Sequence, residues 1–76
     1  MITFDKALET AKIIIPKVDS YEEYPDVYIF TNSKAQGDEA WDNEVVVTKK
    51  DGNVISYTDF IMDSKYADMD VVPKSI

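Results

Sequence analysis

The chain contains no cysteine, no histidine and no arginine. Each absence removes a class of chemistry. Without cysteine there is no disulfide, no thiol nucleophile and no thiolate metal cluster. Without histidine, neither a serine–histidine–acid nor a cysteine–histidine arrangement can be built, and zinc loses its usual nitrogen ligand. Without arginine, no side chain can grip a phosphate with a planar two-donor fork. Glycine occurs only at Gly37 and Gly52, which stand alone and form no phosphate-cradling loop. Long apolar runs are missing too. Ile13-Ile14-Ile15 sits inside a charged helical pattern. It falls far short of the roughly 18–20 apolar residues of a membrane span, and it lacks the cleavage-site context of a signal peptide. These absences predict a soluble, cytoplasmic, non-enzymatic protein that needs no cofactor and no metal. Paired carboxylates are the one catalytic device left, but they need a cleft and a raised pKa. A chain of 76 residues has little material for a deep cleft.

That length predicts a single small domain over residues 1–76. Its core must be modest. At about 25 cal/mol per Å² of apolar area, burial in a chain of this size comes out near zero once ordering entropy is subtracted. Stability then leans on a partner or on self-association, with a homodimer as the simplest form. A melting temperature that rises with protein concentration is the corresponding expectation.

What the chain does have is negative charge, a net of −7, and it is unevenly placed. Residues 19–44 carry eight acids against Lys34 alone, while the segments on either side are close to neutral. Such a field repels nucleic acid and anionic lipid and favours a basic protein. Two readings follow: plain solubility, or recognition of a basic partner.

The clearest structural signal is Glu44–Thr58. Val45, Val46, Val47 and Thr48 suit a strand, Asp51-Gly52 marks a reversal, and Val54, Ile55 and Tyr57 resume the strand pattern. A two-residue loop pairs Lys50 with Asn53 and puts Val46, Ile55 and Tyr57 on one face. A three-residue loop pairs Lys49 with Asn53 and puts Val45, Val47, Ile55 and Tyr57 together. The second gives the better contrast between faces and is the expected register, although a slip of one residue would exchange them.

Ahead of this hairpin, Thr3 is a plausible N-cap for a helix over Thr3–Ile15. Phe4, Ala7, Leu8, Ala11, Ile14 and Ile15 recur at three- and four-residue spacing as one apolar stripe. Pro16 ends the helix. Val18 is a candidate start for a short extra strand within the polar segment Lys17–Asp26. Val27–Thr31 is strong strand material, with Tyr28 and Phe30 on one face and Val27, Ile29 and Thr31 on the other. Asn32–Asn43 reads as a loop joining two antiparallel strands. Beyond the hairpin, either Thr58 caps a short helix or the third strand continues to about Ile61; the second is expected. Pro73 keeps the tail out of a central strand, leaving it an edge or a covering role.

The candidate contact surface lies in the acidic third. Trp41 is the only tryptophan, and Asp38, Glu39, Asp42 and Glu44 surround it in sequence. With Tyr21 and Tyr24 these residues combine stiff amphipathic rings with carboxylates, which suits a surface that meets lysines or arginines. The competing reading has Trp41 covering the open edge of a small core. The same four acids could instead form a weak calcium site, and Asp68 and Asp70 make an isolated Asp-x-Asp, though neither stretch has the spacing of a dedicated calcium loop.

Three phrases, ITFDKALETAKIII, VYIFT and VVVTKKDGNVISY, occur in the order seen in small bacterial domains. The chain resembles the PepSY type and certain immunity-protein domains of bacterial toxin systems. The resemblance rests on Thr3 to Ala7 at the helix start and Lys49 to Gly52 at the turn, and it covers about two thirds of the chain, leaving out the tail from Asp59. It implies a non-enzymatic inhibitor or binding role on a helix-over-sheet fold and brings no catalytic set. The expected architecture is α+β: an N-terminal helix packed on a three- or four-stranded antiparallel sheet, its stripe meeting Val27–Thr31, Val45–Val47 and Ile55–Tyr57. The expected function is a protein-binding or inhibitory module acting on a basic partner. The alternative is a small ligand- or calcium-binding domain that self-associates.

Overall fold

The computed structural model of the protein describes residues 1–34 and 44–76. The first element is helix α1, Phe4–Ile14. Its start is fixed by Thr3, whose hydroxyl accepts a hydrogen bond from the Lys6 amide at 3.2 Å. Asp5 in the first turn and Lys12 in the last both favour the helix dipole. Its end is set by Pro16, which holds Ile15 in an extended conformation. Ala7 and Ala11 are fully buried, and their small side chains let the helix lie close to the sheet. Phe4, Leu8 and Ile15 pack around them. Ile14 departs from the expected stripe and is half exposed. At about 100° per residue it falls beyond Ala7 from Phe4, Ile15 and Leu8, on the rim of the apolar face.

Strands follow at β1 (Ser20–Glu23), β2 (Val27–Thr31), β3 (Glu44–Thr48) and β4 (Val54–Ile55); then come helix α2 (Tyr57–Asp63) and strand β5 (Lys74–Ser75). The strands form one antiparallel sheet in the order β4-β3-β2-β1-β5. It has five strands rather than three or four, because the tail after Pro73 adds β5 as a two-residue edge beside β1. The extra strand foreseen near Val18 begins two residues later, and Val18 itself is buried beneath α1. β2 lies at the centre, and Val27, Tyr28, Ile29 and Phe30 are all buried. Two buried faces explain why that strand is apolar throughout.

One face carries Tyr28, Phe30, Val45 and Val47 beneath α1. The other carries Val27, Ile29 and Val46, covered by Phe60 of α2, with Tyr24 beside them and Tyr66, Ala67 and Val71 packed around. The sheet is thus sandwiched, with α1 on one side and α2 with the following chain on the other. Among the described residues, no helix is long and apolar enough to cross a membrane.

The hairpin differs from both expected registers. Val46 pairs with Ile55 and Val47 with Val54. The loop is Lys49–Gly52, one residue longer than expected. Asp51 accounts for the difference, because its carboxylate accepts from the Thr48 hydroxyl, the Asn53 amide and the Asn53 side-chain amide. Gly52 then takes φ +75°, where glycine alone is unstrained. The one-residue slip moves Ile55 to the α2 face with Val46, so Val45 and Val47 meet α1 without it.

Tyr57 is a second correction. It opens α2 and does not extend the strand. The cap is Ser56, not Thr58, and its hydroxyl accepts from the Asp59 amide at 3.0 Å. Ser56 with Asp59 three residues later is a helix-start signature that was present in the sequence.

Candidate functional site

Trp41, Asp38, Glu39 and Asp42 lie outside the described residues. The other three members of the expected surface can be placed, and the sheet separates two of them. Tyr21 sits on the α1 face, its ring 4.7 Å from that of Phe4. Tyr24 lies on the α2 face, only 6% exposed, its ring 5.0 Å from Phe60. The two tyrosines therefore contribute to opposite core layers. The Tyr24 hydroxyl donates to Glu22 Oε2 at 3.2 Å, and burial, with the Glu22 charge second, pushes its pKa up to about 12.

The acids around this region divide into two groups. The first group is tied down. Asp19 accepts from the Ser33 amide and hydroxyl at 2.9 and 2.7 Å, which holds its carboxyl below the usual range. Glu23 pairs with Lys49 at 2.8 Å and is lowered in the same way, mainly by that hydrogen bond. The Lys49 ammonium also lies 4.7 Å from the centre of the Tyr28 ring. Lys49 is therefore folded against the sheet and does not join Lys50 in a basic patch. Asp26 Oδ2 accepts from the Ser64 hydroxyl at 2.8 Å, linking the β1–β2 turn to the end of α2.

The second group is Glu22 and Glu44. Register places both on the α2 face, Glu22 opposite Ile29 and Glu44 opposite Thr31. Burial, and after it the charge on Glu22, raises the pKa of Glu44. Neither acid has a cation: Lys49 with Glu23 is the only ion pair among the described residues. Glu22 was absent from the residues expected to form the site. The signal was strand alternation, which becomes readable only once Ser20–Glu23 is recognised as a strand.

The arrangement offers two carboxylates on one sheet face, with the buried Tyr24 phenol hydrogen-bonded to Glu22. Among the described residues, no three acids gather closely enough to hold a metal ion, and Asp68 and Asp70 are both exposed. No family model, no curated protein and no solved structure matches the chain.

Proposed function

We propose that the protein is a non-enzymatic binding module for a basic protein, inhibitory in the manner of immunity-type domains. The observation that carries the reading is the Glu22–Glu44 pair. Two carboxylates stand on one sheet face with no ion-pair partner among the described residues, and burial first, with the Glu22 charge second, raises the pKa of Glu44. A lysine or arginine from a partner would supply the opposite charge that this face lacks among the described residues. The acid surplus of residues 19–44 adds long-range attraction and a fast encounter. Trp41, which lies outside the described residues, is the aromatic anchor that the sequence offers to such a partner.

The test is to mix the protein with the products of the reading frames that flank its own. A stable complex with a basic or toxin-like product supports the reading. Trp41→Ala should weaken that complex about tenfold or more while leaving the melting temperature unchanged, as expected of a partner-contact anchor. Equal affinity of variant and parent would remove Trp41 from the surface, and no complex with any basic neighbour at 100-fold excess would contradict the reading itself.

A further inference from the structure

Strand β1 is paired unequally on its two edges. β2 runs beside all of Ser20–Glu23, but β5 covers only half of it, with Ser20 opposite Ser75 and Tyr21 opposite Lys74. The Tyr24 amide donates to the Val27 carbonyl on the β2 edge, whereas the Asp19 carbonyl accepts from the Ile76 amide on the other. Alternation along the strand therefore turns the amide and carbonyl of Tyr21 and Glu23 away from β2. Tyr21 meets Lys74 there. Glu23 has no strand opposite it on that edge among the described residues.

Pro73 explains why the pairing stops. The register would set it opposite Glu22, but its ring holds φ at about −65°, away from the strand value, and the ladder begins only at Lys74. Little holds β5 against β1. Lys74 and Ser75 are exposed, Val72 is 72% exposed, and among the described residues neither core layer includes anything beyond Val71. Residues 72–76 can lift from the edge without opening either layer.

The edge also selects charge. Lys74 already stands beside Glu23, whose carboxyl is held below its usual range by the Lys49 hydrogen bond first and by the charges of Lys49 and Lys74 after it. Glu22, on the other face of the strand, has no ion-pair partner among the described residues.

We propose that the outer edge of β1 is a strand-addition site, where an extended segment of a basic polypeptide displaces β5, pairs along the whole of Ser20–Glu23 and sets a lysine or arginine opposite Glu22, where Pro73 now stands. The site rests on the basic-partner reading and names the mode of contact: main-chain hydrogen bonds give affinity, and the cation chooses the partner. β5 is the placeholder that keeps the edge covered until then. A second copy of the chain is a poorer occupant, because its own β5 carries the same Pro73 and the molecule the same net charge of −7.

The experiment uses the isotope-labelled full chain with Ser20→Cys and Ser75→Cys. These positions face each other across β1 and β5, and the parent has no cysteine, so oxidation ties β5 down with a single bond. The probe is acetyl-Val-Lys-Lys-Ser-Ile-amide, which copies residues 72–76 with lysine in place of Pro73. Added to the reduced protein, it should shift the Tyr21 and Glu23 amides and release those of Lys74 and Ile76 into fast exchange. The oxidised protein, unchanged in charge, should bind at least about tenfold more weakly. Pro73→Lys puts a cation opposite Glu22 within the chain itself. It should raise the urea midpoint and weaken the peptide about twofold or more, a combination that a damaged fold could not give.

No shift at Tyr21 and Glu23 by about 5 mM peptide would overturn the proposal. So would equal affinity of the oxidised and reduced forms, or unchanged binding in Pro73→Lys. The same shifts produced by raising protein concentration alone would show β5 exchanging between copies and overturn it too. If the oxidised and reduced forms bind a whole basic protein equally well, the edge fails and the module stands. If the peptide replaces β5 but no basic protein binds, the edge stands and the module fails.

Discussion

Gly52 shows what one residue decides. Its φ of +75° closes the Lys49–Gly52 loop, and a Cβ built there would lie 3.2 Å from the Ile2 side chain. That contact is held because the Ile2 amide donates to the Lys49 carbonyl at 2.8 Å. Gly52→Ala should therefore destabilise the protein by about 1–2 kcal/mol, read as a lower urea midpoint with unchanged slope. Glu44 makes the opposite kind of prediction. Its folded pKa is raised, so its charge opposes folding at neutral pH. Stability from this group should rise as pH falls through the folded value towards the ordinary 4.5. Asp19, Glu23 and Asp51 have lowered folded values, so their contribution is full above the ordinary 3.8–4.5 and fades at lower pH. Stability should thus peak in mild acid and fall below it. Glu44→Gln should abolish the rise and stabilise the protein at pH 7 by a few tenths of a kcal/mol, a figure discounted because the residue is exposed. Melting curves from pH 3 to pH 8 decide it, and an unchanged profile in the variant would contradict the assignment.

At the scale of elements, legibility followed periodicity. Helix α1 and strand β2 were readable because each repeats one pattern over nearly its full length: the stripe from Phe4 to Ile15, and four consecutive residues, Val27–Phe30, apolar on both faces. Strand β1 was foreseen only as a start near Val18, two residues early, because Ser20–Glu23 is polar and packs largely through its neighbours β2 and β5. Helix α2 was hidden because Tyr57 continues the alternation of Val54 and Ile55, and a helix of seven residues offers Phe60 alone to the core. The hairpin register depends on the Thr48–Asp51–Asn53 hydrogen bonds, which no apolar pattern reports. The site suffered from the same gap. Tyr21 and Tyr24 look like companions in sequence, but once β1 and its turn form they go to opposite layers. The cap makes α2 testable. Ser56→Ala should cost about 1 kcal/mol, and hydrogen exchange should speed up at Phe60 and Ser64, whose amides close the helix, before it does in β2.

At the scale of the whole molecule, the fold explains how so few residues support two core layers. The central strands β2 and β3 are buried on both faces, so each apolar residue in them serves one layer or the other. Small α1 contacts at Ala7 and Ala11 keep one layer thin, and Phe60 closes the other. Lys49 is held internally, against Glu23 and the Tyr28 ring. Among the described residues, Glu22 and Glu44 on the α2 face have no ion-pair partner, and on the proposed reading charge complementarity selects the partner. The most direct measurement is the affinity for the proposed basic partner, by calorimetry at low and moderate salt, of the parent and of Glu22→Gln with Glu44→Gln. The expected result is a parent that weakens about tenfold as salt rises from roughly 50 to 300 mM, and a variant about tenfold weaker at low salt with a flatter salt response. A variant that binds as tightly as the parent at low salt would contradict it.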